Sequence, residues 1–432
     1  MTNSPEQSSP VNNGPLAGIR VLELGSLIAG PFASRMLGEF GAEVIKVETP
    51  GSGDPIRKWR VLHEGNSLWW AVQARNKKSI TLNLKAEEGL AVLRKLIESA
   101  DMLVENFRPG QLEKWGLSPE QLQALNPGLI VVRLSGYGQT GPYKDRPGFG
   151  AIAESIGGMR FLSGDTDRPP VRVGISIGDS LAGLHAVIGA LMALQHRHKT
   201  GKGQVVDAAM VDGVANLLSL FHAYLSTDSW HDQPASNLLD GAAPFYRCYT
   251  CKEGGHVAVG SLEPQFYTLL LAGLDIPADR YSQNDKDQWP AMEADFAATF
   301  LTRTRQEWED RFAGTDACVS PVLSIREAMS HPANAARNMF TDHRGVTQSA
   351  PAPRFSGTPT EIRSSVTLSS ADVLAALGIG PAMAALAAVV PHQMDRVNLR
   401  FVHRAQLGLW RALLAAVWQL SQLPAQAASA TD

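Results

Sequence analysis

The chain has 432 residues, 44% of them hydrophobic and 19% charged, and its formal net charge is −3. These values are typical of a globular protein with about two or three domains. The weak negative charge gives no electrostatic reason to expect a nucleic acid or an anionic membrane as a partner, so we predict neither.

The first 14 residues are polar and rich in Ser, Asn and Pro. They lack the basic start and apolar core of a signal peptide, so we interpret 1–14 as a disordered leader.

Residues 18–48 have the pattern of one β-α-β unit. A strand is predicted at 19–24, a tight turn at 25–31, a helix at 32–40 and a second strand at 43–48. Further strands at 81–84, 101–105 and 129–135 alternate with helices at 85–100 and 111–115. This alternation predicts an α/β fold in which helices cover a parallel sheet.

A second informative segment lies at 171–184. The β-branched run 171–177 predicts a strand that ends at Gly178, and an apolar helix follows from Ser180 to about His198. The apolar stretch 181–194 is shorter than the roughly 18 residues of a membrane span, so we predict a buried helix. Asp179 stands at this junction, where a carboxylate serves either as a helix N-cap or as a nucleophile or base. Residues 204–210 predict another strand.

The composition changes near residue 225. An antiparallel pair at 245–250 and 256–259 and helices at 264–273, 289–303 and 304–313 predict a second, smaller α/β domain. The domains that we predict are a large domain at 15–225, a small domain at 235–330, a return to the large domain at 345–390 and a helical tail at 391–432. Within these ranges, 345–360 reads as an irregular linker, 371–390 as a helix pair and 404–421 as an amphipathic helix.

The three cysteines are Cys248, Cys251 and Cys318, and the first two form a single CxxC motif. The sequence shows no second ligand pair at zinc-site spacing, so we predict no metal site. A redox role is the weaker alternative. The preferred interpretation is packing residues in a reduced, cytosolic protein.

The turn at 25–31 resembles a nucleotide-binding loop only in part. Its glycines, Gly25 and Gly30, have the spacing GxxxxG, which is neither the dinucleotide fingerprint GxGxxG nor a P-loop, although Glu48 ends the second strand as a ribose-binding acid would. Basic residues cluster in the loops expected at the same sheet edge, which favours a ligand with several phosphates, while solvated surface charge is the open alternative. They are Arg57, Lys58, Arg75, Lys77, Lys78, Arg108, Lys114, Lys144 and Arg146.

Seven motifs in order carry a family resemblance. They are PLAGIRVLELGSLIAGPFASRMLGEFGAEVIKVE, GSGDPIR, NKKSITLNLK, VENFRPG, SGYGQTGPYKDRPGF, GISIGDSLAG and TGKGQVVDAAMVDG. Over about residues 15–390 the chain resembles the class III CoA-transferases of the CaiB/BaiF type, a family that includes the α-methylacyl-CoA racemases. The tail beyond about 390 is not covered.

The resemblance implies a Rossmann-like large domain built from both ends of the chain, a smaller α/β domain from its middle, and two subunits interlocked as a homodimer. It implies coenzyme A as a substrate, with no tightly bound cofactor. Asp179 matches the catalytic aspartate of the family. The positions that match CoA-holding residues are Ile28, Ala29, Ala74, Arg75, Asn76, Lys77, Asn106, Phe107, Arg108, Lys114, Arg146, Pro147, Gly148 and Phe149.

The activity implied is transfer of CoA from an acyl-CoA thioester to a carboxylic acid through an aspartyl anhydride and an aspartyl-CoA thioester. The middle and C-terminal parts of the chain look closer to the racemases, so α-proton transfer is the alternative. A racemase needs a second base, and its His-Asp pair is replaced here by Phe149-Gly150, although the accompanying acid is retained as Glu263. We therefore predict a transferase. An acyl-CoA-binding protein without turnover is the third class considered.

Overall fold

The computed structural model describes residues 13–367, so the predicted tail, the helices at 371–390 and 404–421 and nearly all of the leader lie outside the described residues. The strands are β1 (Arg20–Glu23), β2 (Glu43–Glu48), β3 (Leu62–His63), β4 (Asn66–Ser67), β5 (Lys77–Thr81), β6 (Met102–Glu105), β7 (Ile130–Ser135), β8 (Val205–Ala209), β9 (Tyr246–Thr250), β10 (His256–Gly260), β11 (Val319–Pro321), β12 (Phe340–His343), β13 (Val346–Ser349) and β14 (Val366–Thr367).

The helices are α1 (Ala29–Glu39), α2 (Leu68–Gln73), α3 (Glu87–Glu98), α4 (Gln111–Lys114), α5 (Pro119–Leu125), α6 (Gly150–Ile156), α7 (Met159–Leu162), α8 (Ile177–Thr200), α9 (Met210–Leu217), α10 (Ser219–Leu225), α11 (Pro264–Gly273), α12 (Trp289–Phe300), α13 (Arg305–Phe312), α14 (Ile325–Ser330) and α15 (Pro332–Ala336). Short 3₁₀ turns occupy Pro55–Lys58 and Lys286–Gln288.

A seven-stranded parallel sheet is the frame of the molecule, with the strand order β14-β5-β2-β1-β6-β7-β8. Side chains alternate between its two faces, as in β1, where Val21 packs with α1 and α8 and Leu22 packs with α3 and α5. The predicted α/β fold with a parallel sheet is confirmed. Since β14 follows the smaller sheet in the chain, the large sheet contains segments from both sides of it.

The smaller sheet is antiparallel, with the order β11-β10-β9. Its core is aromatic and includes Phe245, Tyr249, Phe300 and Trp308, which pack between the strands and helices α11 to α13. This sheet and its helices lie within the range predicted as the second domain.

Helix α8 is the one helix of residues 13–367 that is long and apolar enough to cross a membrane. It packs instead along β7 and β8, with Ala182, Ala186, Ala190 and Ala193 buried on the sheet. Small side chains at this spacing let a helix approach a sheet closely.

The strand predicted at 171–177 is wrong. Residues 171–176 form an irregular segment, and Ile177 already belongs to α8. Val171, Val173 and Ile175 are exposed, and the segment pairs with no described strand. β-Branched residues make a strand only where a neighbouring strand completes the hydrogen bonds.

Other predicted bounds also differ from the structure, most of them by a few residues. The strand expected at 81–84 lies at Lys77–Thr81, the helix expected at 32–40 begins at Ala29, and β13 forms a hairpin with β12 inside the predicted irregular linker. The strand was misplaced because its first residue is a lysine, and a buried lysine does not fit an apolar strand pattern. The sequence patterns do not predict helices α2, α5, α6, α7, α9, α10, α14 and α15.

Candidate active site

Asp179 lies in the first turn of α8, with only 8% of its surface exposed. Ser176 occupies the N-cap position, so the interpretation of Asp179 as the N-cap is wrong. The Ser176 hydroxyl donates a hydrogen bond of 2.5 Å to Asp179 Oδ2, and the Gly150 amide donates a second one to the same carboxylate. Asp179 is therefore a buried carboxylate that two donors hold in place.

Glycines allow α6 and α8 to begin in contact with each other. A methyl group on Gly150 would lie 2.2 Å from Ser176 Oγ and 2.4 Å from Asp179 Oδ2. One on Gly178 would lie 3.0 Å from Gly150 Cα. No side chain fits at either position without moving the carboxylate or the helix start.

The loop before α6 is set against the end of β7 by a second glycine pair. A methyl group on Gly148 would lie 2.6 Å from the Cα of Gly136, directly after β7. Phe149 follows as the N-cap residue of α6 and is 63% exposed. Phe149, where the resemblance to racemases implies a base, thus directly precedes Gly150, whose amide interacts with Asp179.

The electrostatic surroundings of Asp179 oppose its ionisation. Burial raises the pKa of Asp179, and the hydrogen bonds from Ser176 and Gly150 offset only part of this rise. The negative charge of Glu154 raises the pKa further, whereas the positive charge of Arg172 lowers it.

Ile28 and Ala29 stand where the 25–31 turn becomes α1. The Asn106 side chain fastens this turn to the end of β6, because it accepts a hydrogen bond of 2.8 Å from the Ser26 amide and donates one of 2.8 Å to the Ser26 carbonyl. The predicted positions at 28–29 and 106–108 therefore meet at the carboxyl ends of β1 and β6, the edge where α/β sheets bind ligands. The ring of Phe107 packs edge-on against the ring of Trp115, with 5.2 Å between the ring centroids.

Lys77 is a buried structural residue. Its Nζ lies 2.8 Å from Glu23 Oε2 and donates hydrogen bonds to the Pro31 carbonyl at 2.8 Å and to Ser34 Oγ at 3.1 Å. Its charge thus supports the turn at Ile28 from inside the fold.

Lys46 supports the same turn from β2. Its Nζ lies 2.8 Å from Glu23 Oε1 and 2.9 Å from Asp54 Oδ2, and it donates to the Gly25 carbonyl at 2.7 Å. Glu23, Lys46, Lys77 and Asp54 form one network, which we call the buried ion network, and each is at most 3% exposed.

Arg75 and Asn76 are also engaged within the fold. Arg75 Nε lies 2.6 Å from Glu39 Oε1, and its Nη1 donates to Gln348 Oε1 at 2.9 Å. The Asn76 side chain bonds to the backbone of Glu361 and Arg363, and Ala74 is buried at the end of α2. The side chains of Arg75 and Lys77 are thus already paired inside the fold.

The remaining cations predicted to hold CoA are not paired inside the fold. Arg108, Lys114 and Arg146 are exposed, and the guanidinium of Arg146 stacks 3.8 Å from the ring centroid of Tyr143, beside the exposed Pro147. Within residues 13–367 these three side chains form no ion pair.

Arg57 and Glu48 pair with each other, at 2.7 Å from Nη2 to Oε1. The Glu48 carboxylate is thus occupied and buried, unlike that of a ribose-binding acid.

Glu263 is exposed at the N-cap position of α11, beside the smaller sheet. Its side chain makes no hydrogen bond or ion pair with Asp179 or Gly150 in the described part of the chain.

The cysteines are all free, and only Cys251 is buried. The packing role therefore fits Cys251, whereas Cys248 and Cys318 are exposed. Residues 13–367 contain no group of three His, Cys, Asp or Glu side chains placed to hold a metal ion.

Sequence reasoning missed Ser176, Gly150 and Glu154 as neighbours of Asp179. Ser176 carried a detectable signal, because a serine three residues before a first-turn acid is a frequent helix start. Gly150 and Glu154 carried none, since they reach Asp179 only through the contact between α6 and α8.

Comparisons with known proteins identify the family of the chain. The family model described as "CoA-transferase family III" matches residues 16–366. A succinyl-CoA–D-citramalate CoA-transferase of Chloroflexus aurantiacus is 42% identical over 358 residues, which cover 80% of this chain and 89% of that protein. The α-methylacyl-CoA racemase of Homo sapiens is 40% identical over 347 residues, covering 80% of this chain and 87% of the racemase.

A solved structure is similar over the same range. The crystal structure of a CaiB/BaiF family protein from Brucella suis superposes with a TM-score of 0.73 at 30% identity, and the match covers 84% of this chain and 100% of that one.

Proposed function

The chain belongs to CoA-transferase family III, and from this premise we propose that it moves CoA from an acyl-CoA thioester to a carboxylic acid by covalent catalysis at Asp179. The observation that carries the proposal is the buried carboxylate of Asp179 in the first turn of α8. Ser176 and Gly150 hold it by hydrogen bonds, and burial raises its pKa. A carboxylate that is poorly stabilised as an anion gains most from conversion into a neutral acyl group.

The first half of the proposed reaction loads CoA onto the enzyme. A carboxylate oxygen of Asp179 attacks the thioester carbonyl, the C–S bond breaks, and CoA leaves as thiolate from a mixed anhydride. The thiolate then attacks the aspartyl carbonyl, the anhydride C–O bond breaks, and the donor acid leaves as carboxylate. Asp179 is now a CoA thioester.

The second half repeats these steps with the acceptor. The acceptor carboxylate attacks the aspartyl thioester and releases thiolate, which attacks the acceptor acyl carbonyl and frees the Asp179 carboxylate. Each attack forms an oxyanion near the start of α8, and one well-placed amide donor there would contribute about 3 kcal/mol. No electrons are exchanged with an oxidant or reductant.

The CoA site that we propose lies at the carboxyl ends of β1 and β6. The contact between Ser26 and Asn106 supports it for Ile28, Ala29 and 106–108, and the unpaired Arg108, Lys114 and Arg146 supply charge for phosphates. The backbone of 74–77 and the loop from Pro147 to Phe149 complete the set.

The donor that we propose is succinyl-CoA, because several similar proteins are named as succinyl-CoA CoA-transferases. The acceptor that we propose is a carboxylic acid. A screen of acids with succinyl-CoA, with the products detected by mass spectrometry, would identify it.

Racemisation is the second candidate function, favoured by the 40% identity to the human racemase and by the retained Glu263. Two features at the site count against it. Phe149 has no group that carries a proton, and Gly150 leaves no space for the acid that follows the histidine in racemases.

One experiment separates the two candidates. The protein is incubated with succinyl-CoA and then hydroxylamine or borohydride, and the peptide with Asp179 is analysed by mass spectrometry. We expect a modified Asp179. An unmodified peptide together with α-proton exchange of a 2-methylacyl-CoA into heavy water would establish racemisation instead. CoA binding without either activity would establish the non-catalytic class.

We also propose that the protein is a cytoplasmic, interlocked homodimer. An apolar stripe on α8 supports the dimer, because Leu184, Ile188, Leu191 and Met192 are exposed at helical spacing. The free, exposed Cys248 and Cys318 are consistent with a reducing compartment, which cell fractionation tests.

A further inference from the structure

Glu154 is a buried carboxylate that faces the start of the catalytic helix. It lies in α6, is 1% exposed, and its Oε1 accepts a hydrogen bond of 3.1 Å from the amide of Gly178, the residue before Asp179. Its Oε2 lies 3.7 Å from Arg160 Nη2 in α7. Glu154 is thus fixed by one amide and one loosely placed cation.

Helix α6 contacts the first turn of α8 at two points. Its first residue, Gly150, donates its amide to the Asp179 carboxylate, and one turn later Glu154 accepts the amide of Gly178. The two contacts have opposite electrostatic effects on Asp179. The Gly150 amide stabilises the anionic carboxylate, whereas Glu154 places a second negative charge near it. A fold that required only packing at this position would be satisfied by a neutral side chain.

The charged groups around this pair can be followed element by element. Glu154 from α6 and Arg172 from the segment before α8 act on Asp179 with opposite signs. Arg160 in α7 faces Glu154. On the other neighbours of α8, Asp212 of α9 interacts with His185 further along α8, and Arg35 and Glu39 of α1 pair with each other. Glu154 is the negative charge in this set that acts on Asp179.

We propose that Glu154 is a positioning residue whose negative charge destabilises the free Asp179 carboxylate relative to its neutral, acylated form, and whose hydrogen bond to Gly178 sets the first turn of α8. This inference rests on the proposed function. When Asp179 becomes an anhydride or a thioester its charge is lost, and so is its repulsion with Glu154. The same repulsion therefore favours both protonation and acylation of Asp179.

Because one repulsion favours both protonation and acylation of Asp179, removing it should change both by the same factor. In Glu154→Gln the side chain retains an acceptor for the Gly178 amide but loses the charge. We expect the acid limb of the kcat/KM profile, which reports Asp179, to move to lower pH. We also expect the equilibrium ratio of aspartyl-CoA thioester to free enzyme to fall about tenfold for each pH unit by which the limb moves. Glu98→Gln, on the exposed end of α3, is the matched control and should change neither value.

A second variant tests the sign. Arg172 is exposed, so Arg172→Gln should fold, and loss of its positive charge should move the acid limb to higher pH. Circular dichroism and thermal unfolding establish that each variant is folded. If Glu154→Gln does not fold, Glu154→Met removes the same charge with a side chain of similar size, and the acid limb should again move to lower pH.

The outcomes distinguish the two proposals. An unmoved limb in folded Glu154→Gln, or shifts of the same sign in Glu154→Gln and Arg172→Gln, would overturn the role of Glu154 while thioester trapping on wild-type Asp179 still supports the transferase. Absence of trapping in the wild-type protein would overturn the transferase itself.

Discussion

Individual residues at the site show how the fold changes the chemistry of common side chains. Asp179 is an ordinary first-turn acid by sequence, yet burial and Glu154 raise its pKa while Ser176 and Gly150 orient it. Lys77 resembles a phosphate-binding lysine, yet its charge is used by Glu23. The role of each charged residue here depends on which groups surround it.

Replacing Asp179 tests the proposed reaction directly. Asp179→Asn retains the shape of the side chain and an acceptor for Ser176 and Gly150, but an amide cannot form the anhydride. We expect transfer to fall on the order of 10⁴-fold or more, with CoA affinity and thermal stability nearly unchanged. Rates from a coupled thioester assay, with calorimetric CoA binding, provide the measurement. Substantial transfer by this variant would rule out covalent catalysis at Asp179.

The pH dependence of stability tests the buried ion network. Burial alone would raise the pKa of Glu23, but Lys46 and Lys77 outweigh it and lower the pKa from 4.5 to about 2. Since the pKa is lower in the folded state, the stabilisation by Glu23 is complete above about pH 4.5 and is lost as the pH falls towards 2. The charge on this side chain therefore matters most at neutral pH.

Glu23→Gln is the corresponding variant. It leaves Lys77 without its anion, and breaking a buried pair in this way costs about 3–5 kcal/mol at neutral pH. We expect the difference in unfolding free energy from wild type, measured with urea, to shrink between pH 4.5 and 2. Glu88→Gln on the exposed side of α3 is the control and should unfold like wild type. A difference that does not vary with pH would contradict an ionised Glu23.

Among the helices, the contact between α6 and α8 forms the immediate surroundings of Asp179. It exists because Gly150 and Gly178 present no side chains, and it brings Phe149, Gly150 and Glu154 to Asp179 from a different part of the chain. Helix α6 is short and was not apparent in the sequence, whereas α8 was predicted because its apolar run is long.

Gly150→Ala tests this contact. The added methyl group would lie within 2.4 Å of Asp179 Oδ2, so the carboxylate must move. We expect transfer to fall about 10²-fold and stability to fall by about 1–3 kcal/mol.

Gly174→Ala is the matched control for this substitution, because it lies in the segment before α8 with open space around it. It should retain both activity and stability. Normal activity of Gly150→Ala would show that the close approach of α6 to Asp179 is unnecessary.

Elements also show where sequence patterns mislead. The run 171–177 has the composition of a strand but finds no partner strand, so it stays irregular and α8 begins at Ile177. Strand β5 does not look like a buried strand in the sequence, because it begins with a lysine. Lys77 is buried there because Glu23 on β1 pairs with its charge. In both cases the deciding group belongs to another part of the chain.

At the scale of the whole molecule, the exposed stripe on α8 predicts how copies associate. Ile188 and Met192 are 47% and 67% exposed, and covering them with a second copy would remove apolar surface from water on both subunits. We expect light scattering after size exclusion to give the mass of a dimer. A monomeric wild-type protein would contradict the proposal.

Ile188→Glu should weaken that dimer by about 10²-fold or more, since the substitution occurs once in each subunit. Ile325→Glu introduces the same change at a residue that is 85% exposed on α14, outside the stripe. It should leave the dimer intact. Equal effects of the two substitutions would place the interface elsewhere.

The fold class and the family could both be predicted from the amino-acid sequence. Periodic strands and helices predict an alternating α/β chain, and seven ordered motifs carry the resemblance to class III CoA-transferases. Both signals are local, because each depends on residues that are close together in the sequence and not on tertiary contacts. Asp179 was identified in the same way, from its motif.

The groups that surround Asp179, and the cations that are left without an ion pair, become visible in the folded chain alone. Folding turns Arg75 and Lys77 inward, pairs Glu48 with Arg57, and places Gly150 and Glu154 against the start of α8. The physical reason is the same throughout. Burial and ion pairing depend on groups far apart in the chain, and no local pattern records which of them meet.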